Sequence, residues 1–221
     1  MLRRLLSTLA VIIFACSWSG AGAAEKAAAP SAFASIVARV GADRGLQRFY
    51  RTCPADVAGK LSTRFASLAP SNRRDCSADP EACYRACAEH DGKACFDLAQ
   101  ALEDAKPAID YRVIKPLFAV ACALGDAGAC TNRASSLRNV EGDDPLDHAA
   151  ESAEVCEFRS FNYACAHNDA WGCAMLGQAA LNGEGIGRSL AMAQRSFAAS
   201  CRIEPDSDAC AFARKLAPKA R

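Results

Sequence analysis

One spacing restricts this chain more than any other: Cys-x7-Cys, at Cys87 and Cys95, at Cys122 and Cys130, and at Cys165 and Cys173. Cys201 and Cys210 repeat it with one extra residue. A small residue precedes each first cysteine (Ala86, Ala121, Ala164, Ser200), and another precedes each second one (Ala94, Ala129, Gly172, Ala209). Aspartate follows the first cysteine by four residues in three copies (Asp91, Asp126, Asp169), and Asp206 comes one later in the stretched copy. Four such matches make a repeat. On one continuous helix the two cysteines would stand about 12 Å apart, at 1.5 Å per residue. A disulfide needs Cα atoms within about 4.4–6.8 Å. A bonded pair therefore requires the chain to turn back, and the Asp/Gly-rich middles suit a tight corner between antiparallel helices.

The rest of the sequence agrees with an all-α architecture. Alanine is abundant, aromatic residues make up 7%, and no long stretch alternates with period two. Phe33, Ile36 and Val40 share helical spacing in 31–40. Gly41 and Gly45 then interrupt before the 46–50 stretch. Thr52 or Cys53 with Pro54 opens a helix lined by Val57, Leu61, Phe65 and Leu68, which ends at Pro70. Residues 24–78 read as an N-terminal helical cap, and 79–221 as a repeat array. Asp79-Pro80-Glu81 opens the first repeat helix, which runs to about His90. Further helices are expected at about 94–103, 110–124 (strained or kinked by Pro116), 129–137, 153–166, 170–181, 190–202 and 207–216. Residues 139–154 form a longer, acidic surface insertion, and loops of this kind on one face of an array commonly meet partners.

Residues 1–23 read as a signal peptide. Arg3 and Arg4 precede an apolar run from Leu5 to Ala15, and Ala21-Gly22-Ala23 presents the small residues for cleavage between Ala23 and Ala24. The alternative is a lipid anchor at Cys16, within an approximate lipobox. No other segment is apolar enough to span a membrane. The export reading places the protein in the periplasm or outside a bacterial cell. Cysteine usage points the same way: of 13 cysteines, an even 12 remain beyond Cys16, a density normal in an oxidising compartment. The remaining cysteines, Cys53, Cys76, Cys83 and Cys156, admit a local Cys76–Cys83 pair that leaves Cys53 with Cys156, but sequence alone leaves their pairing open. Losing Arg3 and Arg4 turns a net charge of +1 into −1, which offers nothing to nucleic acid.

The stretch 170–201 resembles a Sel1-like repeat, a helix–turn–helix relative of the tetratricopeptide repeat. The resemblance rests on Ala174, Leu176-Gly177, Ala180, Gly183-Glu184-Gly185-Ile186, Ala193, Phe197 and Ala199. With its cysteine pairs, the chain is similar to the secreted, cysteine-rich Sel1 proteins of the Helicobacter type. The resemblance covers about 79–217, most closely in the third unit; the first two units lack the Gly-x-Gly turn. It implies a disulfide-stapled solenoid of α/α repeats, with one disulfide per repeat, that binds a protein or peptide on a concave surface lined by the helices starting near Ala94, Ala129 and Ala170. It also raises an alternative, a cell-wall-directed binding protein or β-lactamase-like hydrolase, because relatives have been labelled so.

Sites for chemistry are sparse. No serine has a lysine three residues on, so the serine β-lactamase nucleophile motif is missing, and no HExxH, GxSxG or P-loop pattern occurs. His90, His148 and His167 are scattered, with His90 and His167 in similar turn positions. No C-x2-C pair exists, and Cys83 with Cys87 is the single metal-compatible spacing. No catalytic residue, metal ligand or cofactor is assigned. The expected partner is an unidentified protein or peptide.

Overall fold

The protein, described here from a computed structural model, is defined over residues 29–65, 75–106, 109–138, 144, 146 and 152–217. The expected signal peptide and its cleavage site, Cys16, His148 and most of the 139–154 insertion lie outside these residues.

Among the described residues every regular element is helical. The N-terminal part comprises α1 (Ala29–Ala42), α2 (Arg44–Arg48), a 3-10 turn (Phe49–Arg51) and α3 (Ala55–Phe65). Then come α4 (Pro80–Ala88), α5 (Gly92–Glu103), α6 (Tyr111–Ala123), α7 (Ala127–Arg138), α8 (Ala153–Ala166), α9 (Ala170–Asn182), α10 (Leu190–Ile203) and α11 (Asp208–Leu216). From α4 onward each helix packs chiefly on its neighbours in sequence.

Local chemistry explains where the helices start. An N-terminal turn leaves backbone N–H groups without partners, and a short oxygen-bearing side chain just before it accepts from one of them. Asp79 does this for Ala82, Asp110 for Arg112, Ser152 for Val155, Ser189 for Met192 and Ser207 for Cys210. Asp110 and Ser189 each stand twelve residues before a staple cysteine, so one capping position serves two units. In the stretched fourth turn Ser207 caps the helix, and the neighbouring Asp206 does not. Pro116 is accommodated inside α6, which continues through it.

The interior is built from large side chains interleaved with alanines. Leu98, Leu102, Ile114, Leu117, Phe118 and Phe161 are buried, and so are Ala99, Ala119, Ala121, Ala134, Ala174, Ala179 and Ala180. Small residues at contact positions let helix backbones approach closely. Gly177 is one such case, since a Cβ there would fall 2.5 Å from the Phe197 ring.

The N-terminal helices do more than close one end. α1 packs on α4 and α6, α2 and the 3-10 turn on α6, and α3 on α6 and α8. They thus lie along the first helix of three successive pairs. A Cys53–Cys156 disulfide, spanning 103 residues, ties the start of α3 to α8.

Candidate functional site

The twelve described cysteines form six disulfides: Cys53–Cys156, Cys76–Cys83, Cys87–Cys95, Cys122–Cys130, Cys165–Cys173 and Cys201–Cys210. The pairing left open in the sequence is thereby given, and Cys83 and Cys87 belong to different bonds. In the four repeat pairs the Cα atoms stand 4.6, 4.5, 4.3 and 4.5 Å apart. Each bridges the last turn of one helix to the first turn of the next.

Three of these corners share one backbone design. The residue three after the first cysteine has a positive φ: 72° at His90, 101° at Gly125 and 64° at Asn168. The left-handed residue reverses the chain. The next residue is the aspartate, and its N–H reaches back to the carbonyl of the small residue before the first cysteine: Asp91 to Ala86, Asp126 to Ala121, Asp169 to Ala164, each at 3.0 Å. Its carboxylate then accepts from the small residue before the second cysteine, from Ala94 at 3.0 Å, Ala129 at 2.8 Å and Gly172 at 2.5 Å. Both small positions of the repeat therefore bond to one aspartate. Their size follows from proximity: a Cβ on Gly172 would lie 2.5 Å from the Ala164 Cβ. Asp169 also accepts from the Thr131 hydroxyl of α7 at 2.6 Å, linking this corner to the preceding pair.

These corners place the histidines differently from the sequence expectation. His90 aligns with Gly125 and Asn168, whereas His167 comes one residue earlier in its turn and ends α8. Its ring stacks on Tyr163 with centroids 4.0 Å apart, and Nδ1 lies 2.8 Å from the Tyr163 carbonyl oxygen. Both histidines are exposed. Among the described residues no three His, Cys, Asp or Glu side chains converge as a metal site would require. The Gly183–Gly185 segment is a helix terminator: Gly183 ends α9 at φ 86°, and Gly185, at φ 66°, lies so close to α8 that a Cβ would meet the Glu154 carbonyl oxygen at 2.1 Å.

A buried charged cluster has no counterpart among the sequence expectations. Arg133 of α7 is 0% exposed and makes two 2.8 Å contacts to the Asp144 carboxylate, which is also 0% exposed. Lys115 of α6 approaches the same carboxylate at 3.4 Å. Arg133 also donates to Ser136 at 3.2 Å and to the Tyr50 carbonyl at 3.4 Å, and lies over the Tyr50 ring at 4.9 Å. Of the insertion expected over 139–154, the described Asp144 and Leu146 are buried, whereas Ser152 and Glu154 are exposed. Removing two cations from water is costly without a partner, so Asp144 is needed where it is. Burial opposes its ionisation, yet the Arg133 hydrogen bonds and charge, aided by the Leu146 N–H and Lys115, hold its carboxyl below the ordinary range. Tyr50 is pushed up to about 12 by burial and by the Asp144 charge.

A second, half-buried cluster centres on Arg138, which donates to Glu157 at 2.8 Å, to Gln178 at 2.9 Å and to Glu184. It joins α7, α8, α9 and the glycine turn. Burial raises the Glu157 carboxyl despite Arg138. Both clusters bond neighbouring helices together.

Compared with known proteins, the chain matches no family model, and no curated protein matches it. Among the described residues no helix is long and apolar enough to cross a membrane. Six disulfides fit an oxidising environment.

Two predictions follow from the packing and the charges. Gly172→Ala should destabilise the protein by about 1–3 kcal/mol through overpacking against Ala164 and Thr131. Gly41→Ala, with nothing within 4 Å of the new Cβ, should be neutral or stabilising, and paired thermal melts compare the two. Asp144→Asn should cost about 3–5 kcal/mol at neutral pH by leaving Arg133 and Lys115 buried without their anion. The sign with pH is fixed: a carboxyl lowered on folding contributes stability above its unfolded pKa of about 4 and loses it as pH falls through the folded value. Denaturant melts should therefore show the difference between wild type and variant shrinking below about pH 4.

Proposed function

We propose that this chain is an exported, disulfide-stapled solenoid of Sel1-like α/α repeats that serves as a protein-interaction module in the periplasm or outside the cell. The observation that carries the reading is the thrice-repeated corner: a left-handed residue at His90, Gly125 and Asn168, the capping aspartate after it, and a disulfide across the turn. One corner design used at intervals along a chain of sequentially packed helices is what a repeat array needs, because each unit meets only its neighbours. The six disulfides support export, and the expected signal peptide supplies the route.

The N-terminal helices support a choice of face. They pack mainly along α4, α6 and α8, so a protein or peptide partner is expected on the side of α5, α7 and α9. Trp171, on the first turn of α9, is 42% exposed and rests against Phe212 of α11 at 5.7 Å between ring centroids. Exposed aromatic side chains of this kind are common anchors in interfaces.

Site-specific photo-crosslinking tests the reading. A photoreactive residue at Trp171, in protein exported by its native host, should give a discrete higher-mass adduct that the same probe at Asn162 on α8 does not give. Adducts of equal yield at both positions, or none at either, would count against an interaction face on this side. Sustained nitrocefin hydrolysis by the purified protein, lost on a single substitution, would instead establish the hydrolase alternative.

A further inference from the structure

The fourth staple differs from the other three in access, in support and in what it holds. Cys201 is half-buried and lines a surface cavity of about 220 Å³ between α10 and α11, beside Ala198 and Ala217. That cavity gives a small thiol an approach to the bond. Cys165 is also half-buried, and the other described cysteines are buried.

The corner at Cys165 is held by more than its disulfide. Asp169 bonds there to Ala164, to Gly172 and to Thr131 of α7, and the two helices it joins are flanked by α7 and α10. The corner at Cys201 has no such reach. Its Ser207 hydroxyl accepts from the Cys210 N–H at 3.2 Å and donates to the Glu204 carbonyl at 2.9 Å, so these bonds stay within the turn.

Beyond that corner lies α11 alone, a helix of 9 residues that packs chiefly on α9 and α10. Its attachments are the disulfide, the Phe212 ring against Trp171, and Ala213 in the small cluster with Ala174 and Phe197. Among the described residues no ion pair joins α11 to another helix. A helix this short is marginal in water by itself.

We propose that Cys201–Cys210 is a reducible latch. A dithiol reductant opens it ahead of the other five disulfides, and α11 then leaves α9 and α10, baring the apolar surface around Ala174 and Phe197. One thiolate of the reductant attacks the Cys201 sulfur, forming a mixed disulfide while Cys210 leaves as a thiolate and takes up a proton. The second thiol of the reductant attacks its own sulfur in that mixed disulfide and releases Cys201 as a thiol. Two electrons and two protons thus pass to the protein, and the reductant ends as a disulfide. Bonds that are accessible, in segments that open locally, are the first to exchange. The latch does not depend on which partner the α5, α7 and α9 side takes.

Timed reduction of the full oxidised protein with dithiothreitol tests this, with alkylation of freed thiols and peptide mass spectrometry. Cys201 and Cys210 should be alkylated about tenfold faster than any other pair. Amide hydrogen exchange over 208–216 should rise at the same stage, while α4 to α8 keep their protection. The double variant Cys201→Ser/Cys210→Ser should show the raised exchange in α11 without reductant. Another pair reduced as fast, or unchanged α11 protection once Cys201–Cys210 is open, would overturn the proposal. The wild-type time course decides the question whether or not the double variant folds.

Discussion

Everything from α4 onward depends on closing short loops covalently at the corners between helices. Each repeat staple joins residues eight or nine apart in sequence and brings their Cα atoms to 4.3–4.6 Å. A loop that short contributes about 2–3 kcal/mol in the chain-entropy account. That is large beside the few kilocalories by which a small domain is usually stable. It matters most for α9 to α11, whose buried apolar cluster is small beside the one that runs through α1 to α8. Phe197, for example, sits in a small cluster with Ala174, Ala180, Ala193 and Ala213, which buries far less apolar area than the cluster around Phe118.

The disulfides do not shape the corners alone. The aspartate accepts from the next helix and donates its own N–H to the previous one, so the same residue ends one helix and begins another. The left-handed residue before it supplies the reversal. Covalent bond, cap and reversal agree at His90, Gly125 and Asn168, and such agreement between levels is what lets a sequence specify one structure. The fourth corner departs from the others: its extra residue shifts the cap to Ser207, and Ser200 places there a buried hydroxyl with no hydrogen-bond partner among the described residues.

The features legible in the sequence were those with a local cause. Asp79-Pro80 and the cysteine spacings mark helix ends because capping and loop closure act over a few residues. The Arg133–Asp144 pair was illegible for the opposite reason. Asp144 sits in an acidic stretch that reads as solvated, and only three-dimensional folding sets it against Arg133 and Lys115. Helix α7 concealed its role as well. Its sequence of small and polar residues shows no apolar stripe, yet Thr131, Arg133 and Ser136 are buried in it. Burial there is bonded rather than greasy, and hydropathy does not see it.

The central claim is that the corners are closed individually, each by its own bond. Mass-spectrometric mapping of proteolysed, non-reduced protein tests this most directly. The predicted result is Cys87–Cys95, Cys122–Cys130, Cys165–Cys173 and Cys201–Cys210, with Cys76–Cys83 and Cys53–Cys156 beside them and no alkylatable thiol among the twelve. A peptide pair joining two different corners, such as Cys95 with Cys122, or a free thiol at any staple position, would contradict it.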